Sequence, residues 1–263
     1  MKHILVPIGS TENAKNILQY AIDFATKINA KIFVFRAYSS QTKTGTMINV
    51  DAIIARETNL YLRTMVNSCD VKNIEIKLIS AKGSVVDSVE SIDQELGIDL
   101  VIVGAKSNSI KEGLFLGRTA GSLVKQTNLA ILAIPEGYKY APVSRILMAF
   151  KSGVIKSKTV LKPLQFIVDT FKAEIHLLLV KTPNYKEEDL VLDKGLQALQ
   201  STLTVTENAT TYQGVLEHIN AQHPDMLCVF RRKRGFFKKL WEKKTILKEE
   251  FYSNVPLLVL KGK

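Results

Sequence analysis

Residues 100–134 read LVIVGAKSNSIKEGLFLGRTAGSLVKQTNLAILAI. The run Leu100–Val103 is short and wholly apolar, which is typical of a strand covered on both faces of a parallel sheet. Leu116–Gln126 has the length and composition of a helix, and Ala130–Ile134 is a second apolar run. A strand, a helix and a strand in this order predict a βαβ unit, and therefore an α/β protein with a mainly parallel sheet.

The same alternation extends from this unit in both directions. Before it we predict strands at Ile4–Pro7, Lys31–Arg36 and Glu75–Ile79, and helices at Asn13–Ile28, Asp51–Val66 and Val85–Leu96. After it we predict strands at Arg145–Ala149, Glu174–Val180, Met226–Phe230 and Pro256–Leu260, a further strand within Leu203–Tyr212, and helices at Val160–Phe171, Leu190–Gln200 and Val215–Ala221. The plan therefore occurs twice. We predict two domains, 1–138 and 143–263, because the joint at Glu136–Val143 contains Gly137, Pro142 and two tyrosines.

Composition excludes several classes of protein. With 263 residues, 46% hydrophobic and 23% charged, the chain is neither disordered nor of low complexity. No apolar run approaches the roughly 18 residues that span a bilayer, and the first residues do not resemble a signal peptide. Two distant cysteines, Cys69 and Cys228, exclude a disulfide framework and a Cys-x2-Cys metal site. These features predict a soluble, reduced, cytoplasmic protein without a membrane span.

The residues of both halves resemble the universal stress protein family. Ile4–Pro7 with Tyr20 is similar to the opening strand and helix of the family, and Leu100–Gly104 to its fourth strand. Asp225–Phe230 and Val255–Leu260 fit the corresponding places in the second half. The resemblance implies two tandem, doubly wound, parallel five-stranded sheets of the Rossmann-like, adenine nucleotide alpha hydrolase-like kind, with strand order 3-2-1-4-5. It also implies a cytoplasmic stress-response function.

Members of the family that bind ATP share a loop, G-x2-G-x9-G-(S/T), after the fourth strand. Glycines let backbone amides approach phosphates, and the following helix N-terminus adds positive potential. Here Gly104 and Gly117 fill the first and third glycine positions, whereas Ser107 stands at the second. Arg118 replaces the hydroxyl residue, and Thr119 follows one place late. These five residues are the candidate phosphate-binding set, because Arg118 can hold an anion by charge-assisted hydrogen bonds.

The family also places an Asp after the first strand, near the adenine and ribose. Gly9 stands there in the first half, and Phe150 is predicted to stand there in the second. Three of the five diagnostic positions of the first half are therefore lost. We expect no strong ATP binding and no required cofactor, although ATP remains a candidate ligand of the first domain. We do not expect ATP in the second half, where no G-x2-G remains.

A basic segment follows the fourth strand of the second half. The chain has a formal net charge of +11, and residues 231–244, RRKRGFFKKLWEKK, contain eight basic residues and one acidic residue. We predict an anion-binding or acidic-partner patch at Arg231, Arg232, Lys233 and Arg234. The alternative is an amphipathic helix whose aromatic face packs on the sheet. Nucleic acid is disfavoured as a partner, because buried aromatic side chains cannot stack on bases.

No constellation predicts catalysis or metal binding. His218 and His223 are five residues apart, so they do not share a helical face, and no Gly-x-Ser-x-Gly elbow is present. We therefore expect a non-enzymatic protein that acts through protein partners or self-association. In the family the fifth strand pairs with its counterpart in a dimer. We expect Ala130–Ile134 and Pro256–Leu260 to cover each other as an internal pseudo-dimer, with a homodimer of whole chains as a further form.

Overall fold

The strands and helices alternate along the whole computed structural model, which describes residues 1–10, 12–39, 50–105, 114–155, 157–183, 185–231, 246–247 and 253–261. The first half contains β1 (His3–Pro7), α1 (Ala14–Ile28), β2 (Lys31–Tyr38), α2 (Val50–Asn67), β3 (Ile76–Lys82), α3 (Val85–Leu96), β4 (Leu100–Gly104), β5 (Leu114–Leu116), α4 (Arg118–Gln126) and β6 (Ile131–Ile134). The second half contains β7 (Arg145–Phe150), α5 (Lys162–Phe171), β8 (Glu174–Lys181), α6 (Lys194–Leu199), β9 (Thr202–Glu207), α7 (Thr211–Gln222), β10 (Met226–Arg231), β11 (Ile246–Leu247) and β12 (Leu257–Lys261). Short 3-10 turns at Lys158–Leu161 and Glu187–Leu190 precede α5 and α6.

Ten of the strands form one sheet in the order β3-β2-β1-β4-β6-β12-β10-β7-β8-β9. Each half contributes five parallel strands in the order 3-2-1-4-5, which confirms the predicted fold class. The two sets are not separate sheets, however, because β6 pairs antiparallel with β12. Leu132 lies opposite Leu258, and the four residues of β6 are all buried. An apolar fifth strand is thus covered by the fifth strand of the other half, which removes two exposed sheet edges.

The two halves repeat the same local contacts in register. Asp99, just before β4, accepts hydrogen bonds at Oδ2 from the backbone amides of Lys2 and His3, at 2.6 and 3.0 Å. Asp225, just before β10, accepts the equivalent pair from Ser144 and Arg145, at 2.8 and 2.9 Å. These anchors and the strand registers align His3 with Arg145 and Leu100 with Met226. Corresponding positions can therefore be compared residue by residue.

Helix ends repeat in the same way. The left-handed residue after α1 is Asn29, with φ 51°, and its counterpart after α5 is Lys172, with φ 54°. The left-handed residue after α3 is Gly97, with φ 64°, whereas its counterpart after α7 is His223, with φ 42°. A left-handed conformation is easy for glycine and costly for most other residues. His223 therefore holds a position for which the first half uses glycine.

Aromatic side chains fill the contact between the halves on one face of the sheet. Phe24 on α1 lies 5.7 Å from Phe171 on α5, measured between ring centroids. Tyr140, in the segment between β6 and β7, packs its ring edge-on against Tyr20 at 5.5 Å and against Phe24 at 6.5 Å. The connecting segment thus packs against the core, because its tyrosines lie against α1 beside the Phe24–Phe171 contact.

Some predicted elements differ in extent from those observed. The helix predicted at Leu190–Gln200 is only Lys194–Leu199, because Asp193 caps it by accepting the amide of Gly195 at 2.8 Å. The indistinct stretch Leu203–Tyr212 divides into β9 and the first turn of α7. Of the basic amphipathic segment only Arg231 is described, and the remainder of 231–244 lies outside the described residues.

Candidate functional site

The first half presents a ligand-binding position typical of doubly wound sheets. β1 lies between β2 and β4, so the strand order reverses beside it, and ligands of such folds bind at the carboxyl ends of the strands there. Gly9 follows β1, Gly104 ends β4, and Gly117 precedes α4 at this edge. The backbone amide of Ala105 donates to the carbonyl of Ile134 at 2.8 Å, which extends the ladder beyond β4.

The phosphate-loop residues come together at the start of α4. The amide of Gly117 donates to the carbonyl of Ala105 at 2.7 Å, so the chain returns to the end of β4 just before the helix begins. Gly117 is buried and has an extended conformation, with φ −67° and ψ 177°, which any residue can adopt. Its amide is therefore already used in a backbone hydrogen bond, and its conformation does not require glycine.

The first turn of α4 still offers anion donors. The first intrahelical bond is Gly121 N–H to Gly117 C=O at 2.8 Å, so the three amides before Gly121 precede the helical ladder. Arg118 is exposed and Thr119 is half-buried at this turn. A helix N-terminus with an adjacent cation has the polarity that suits a phosphate. Ser107 lies outside the described residues, so the set of five predicted residues is described at four positions.

The position of the missing acid is surrounded by a tyrosine and an arginine. Gly9 is exposed, and a side chain built there would meet nothing within 4 Å. Its carbonyl accepts a hydrogen bond from the hydroxyl of Tyr61 on α2 at 2.9 Å, and the guanidinium of Arg36 lies 4.0 Å above the Tyr61 ring. Nη1 of Arg36 is buried without a hydrogen-bond partner within the described residues. Gly9 is therefore linked through Tyr61 to the cation of Arg36.

The sequence analysis missed Arg36 and Tyr61. The only sequence signal is that Arg36 interrupts the apolar run of β2 near its carboxyl end, where side chains face a ligand edge. Tyr61 lies on α2, in a segment that contains no recognisable motif. Their contact becomes visible only when α2 is placed over β2.

The equivalent edge of the second half is filled by aromatic side chains. In register, Phe150 corresponds to Ile8 and Phe230 corresponds to Gly104. Both phenylalanines are 3% exposed, and their ring centroids lie 6.4 Å apart. The position equivalent to Gly9 is Lys151, so the sequence-based alignment of Phe150 with the missing acid was wrong by one residue.

A second contact covers this edge of the second half. The amide of Gly153 donates to the carbonyl of Asp189 at 2.8 Å, and the amide of Asp193 donates to the carbonyl of Gly153 at 3.0 Å. A Cβ atom at Gly153 would lie 2.5 Å from the carbonyl oxygen of Val191. The segment between β8 and α6 therefore packs directly on the loop after β7, and only glycine permits this approach.

Arg231 joins the two halves. Its Nη1 donates to the carbonyl oxygens of Val124 and Thr127 at 2.8 and 2.7 Å, both near the carboxyl end of α4. Burial lowers the pKa of Arg231, although a guanidinium keeps its charge at neutral pH. A cation suits this end of a helix. Of the predicted anion patch, Arg231 thus contacts backbone carbonyls, and Arg232, Lys233 and Arg234 lie outside the described residues.

The described residues hold no group of three His, Cys, Asp or Glu side chains that could bind a metal ion. Among the helices that the structure describes, none has the length and apolarity to cross a bilayer.

Cys228 is fully buried, and burial raises the pKa of its thiol. His218 Nδ1 lies 2.8 Å from the carbonyl of Gly214 on its own helix. Burial in the core therefore accounts for Cys228, and a contact within α7 accounts for His218.

Comparison with known proteins agrees with this architecture. The model of the universal stress protein family matches residues 1–135, which is half of the chain. The chain belongs to the universal stress protein family. A universal stress protein from Archaeoglobus fulgidus DSM 4304 has a similar structure, with a TM-score of 0.68 and 16% identity over 98% of both chains. A functionally unknown protein from Pseudomonas aeruginosa PAO1 gives a TM-score of 0.60 and 13% identity, covering 100% of this chain and 93% of its own.

Curated relatives match part of this universal stress protein. Universal stress protein G of Shigella flexneri and universal stress protein G of Escherichia coli O157:H7 are each 35% identical to this chain over 81 residues. The match covers 31% of this chain and 56% of the relatives, so the chain spans little more than half of their length. Family membership supports a function in the stress response.

Proposed function

We propose that this universal stress protein is a non-enzymatic protein of the cytoplasmic stress response that acts by binding protein partners, including copies of itself. The observation that carries the proposal is the loss of nucleotide-binding features at both carboxyl edges. In the second half Phe150 and Phe230 fill the edge, and in the first half Gly9 replaces the acid. The amide of Gly117 also already donates a hydrogen bond to the carbonyl of Ala105.

We propose further that residues 1–138 and 143–263 are two domains that form an internal pseudo-dimer. The antiparallel pairing of β6 with β12 supports this organisation, as do the two hydrogen bonds from Arg231 to the end of α4. In this account the second domain supplies the surface that a second subunit would otherwise cover. Its fixed attachment leaves other surfaces for partners.

A second candidate function is the binding of a nucleotide or another phosphate by the first domain. Three features of the described part of the chain favour it. A side chain at Gly9 would meet no described atom within 4 Å, Nη1 of Arg36 is buried there without a hydrogen-bond partner, and α4 begins with amides outside the helical ladder. Gly104, Ser107, Gly117, Arg118 and Thr119 would form the phosphate contacts, with ATP as the first ligand to examine. A third and weaker candidate is an acidic-partner adaptor that uses Arg232, Lys233 and Arg234; nucleic acid and membrane are not proposed as partners.

Isothermal titration with Mg-ATP at low salt separates the first two candidates. The leading proposal predicts no saturable heat. The second predicts a single site that is lost in Arg118→Glu, because the substitution places a negative charge at the phosphate position. Gly104→Phe provides a steric test, since it introduces at the first edge the side chain that the second edge already carries. Saturable binding that survives both substitutions would contradict both candidates as stated.

A further inference from the structure

The two outer strands of the sheet differ in how their edges are protected. β3 is flanked by charge: Glu75 pairs with Lys31 at 2.6 Å and with Lys77 at 3.5 Å, and Lys82 pairs with Asp51 at 2.6 Å. Charged side chains, lysine above all, discourage the pairing of an edge strand with another chain. The β3 end of the sheet therefore has a recognised form of edge protection.

The other outer strand lacks this protection. β9 reads TLTVTE, and its single charged residue, Glu207, stands at the end and lies 3.3 Å from Lys181 of the neighbouring strand. The remaining five residues are uncharged and include no proline. Threonine and valine have high strand propensity, so the backbone of β9 is well suited to continue a ladder. β9 thus lacks the lysine and proline residues that protect an outer strand.

One face of β9 is also insufficiently covered. Leu203 and Val205 are 41% and 49% exposed, although they lie in register with the buried Leu177 and Leu179 of β8. In the first half the counterpart of Leu203 is Leu78, which packs against the core where α2 crosses β3. α2 has 18 residues, whereas α6 has six. The shorter helix leaves two apolar side chains of an outer strand in contact with solvent.

We propose that β9 pairs antiparallel with β9 of a second copy of this chain and so joins two ten-stranded sheets about a two-fold axis. The inference rests on the self-association in the proposed function and deepens it, because it assigns that association to one strand. The occupant is a second copy because β9 is complementary to itself. Pairing centred on Thr204 places Thr202 opposite Thr206 and Leu203 opposite Val205, so that hydroxyls meet hydroxyls and apolar groups meet apolar groups.

Charge and connectivity support the same occupant. No like charges face each other between Thr202 and Thr206. The single charge of β9, on Glu207, stands at the end of the strand and lies 3.3 Å from Lys181, so it is poorly placed to recognise a basic peptide. The fifth strands β6 and β12 are already paired with each other, so they cannot serve a second chain. Within the described sheet the remaining outer strands are β3, which carries lysines, and β9.

Sedimentation velocity of the full chain, from micromolar to submillimolar concentration, tests the proposal. We expect a reversible dimer that Val205→Lys weakens by about tenfold or more, because an edge lysine opposes strand pairing. The matched control is Leu216→Lys, which replaces a side chain of α7 that is 47% exposed and adds the same charge outside the strand β9. This control should leave the dimer unchanged, and circular dichroism should show the same fold for both variants.

A charge-pair rescue tests the register. Combining Leu203→Glu with Val205→Lys in one chain sets opposite charges across both facing positions of the antiparallel pair, and we expect dimerisation to return. Combining Leu203→Lys with Val205→Lys sets like charges there, and the chain should stay monomeric. A wild-type monomer at every concentration overturns the proposal. So does a dimer that resists Val205→Lys, one that Leu216→Lys weakens equally, or a folded Glu–Lys double variant that stays monomeric.

Discussion

Phe230 holds in the second half the position that Gly104 holds in the first, and its ring packs 6.4 Å from that of Phe150. The same register position thus holds glycine, which has no side chain, at one edge and a buried aromatic ring at the other. The same duplicated sheet therefore has no side chain at this position of one carboxyl edge and a core side chain at the equivalent position of the other. Because of this asymmetry, we assign any capacity for ligand binding to the first half.

Phe230→Ala should lower the free energy of unfolding by about 3–5 kcal/mol, because it removes a buried ring and leaves a cavity beside Phe150. Equilibrium urea unfolding measures the change. Leu216→Ala, at an exposed position, is the control and should change stability by less than about 0.5 kcal/mol. Equal effects of the two substitutions would mean that Phe230 does not fill a core position.

Arg231→Met should destabilise the chain by about 1–3 kcal/mol, since it leaves the carbonyls of Val124 and Thr127 without their charged donor. Arg118→Met removes the same charge from an exposed position and should have little effect. Thermal and urea unfolding of the two variants give the comparison. If Arg231→Met left the stability unchanged, the guanidinium would not contribute to the contact between the halves.

Alkaline pH should destabilise the protein through its buried tyrosines. Burial raises the pKa of Tyr140 to about 12 and raises the pKa of Tyr20. The folded state therefore favours the neutral phenols, and their contribution is complete below about pH 10 and is lost as the pH rises towards about 12. Urea unfolding at about pH 8 and about pH 11 should show this fall, and Tyr140→Phe should reduce it.

Tyr140→Phe also tests packing at neutral pH. The hydroxyl of Tyr140 is buried without a hydrogen-bond partner within the described residues. Its removal should leave stability unchanged or raise it by up to about 1 kcal/mol, because no hydrogen bond is lost and a desolvated group disappears. A loss of more than about 1 kcal/mol would indicate that the hydroxyl has a partner.

His223→Gly should raise stability by about 0.5–1 kcal/mol, because His223 adopts φ 42° at a helix end where glycine is favoured. The reciprocal change, Gly97→Ala, should destabilise by about 1 kcal/mol at the equivalent position, where φ is 64°. Differential scanning calorimetry of both variants is sufficient. A stabilising Gly97→Ala would contradict the left-handed assignment.

Much of the fold could be predicted from local pattern. Apolar runs such as Leu100–Val103 and Leu257–Leu260 are wholly buried, and Pro163 lies in the first turn of α5, where a missing amide costs little. The length of α6 could not be predicted in this way. Leu190 and Val191 look like the start of a helix, yet they are 37% and 65% exposed because the cap at Asp193 starts the helix later.

The candidate site was less predictable, because its contacts join residues that are distant in sequence. The resemblance to the family's loop identifies Gly104 and Gly117, and it identifies Arg118 by its place beside them. The contact of Arg36 with Tyr61 and that of Arg231 with Thr127 depend on strand register and on helix placement, neither of which a motif encodes. The filling of the second edge by Phe230 required the register of β10 against β12.

Native mass spectrometry of the freshly purified chain, before and after addition of Mg-ATP, shows whether the protein carries a nucleotide. We expect no co-purified nucleotide. We also expect that occupancy under added ATP stays weak, never exceeds one molecule per chain and disappears in Gly104→Phe. A stoichiometric co-purified nucleotide, or two ATP molecules bound per chain, would contradict a partner-binding protein whose second ligand edge is closed by Phe150 and Phe230.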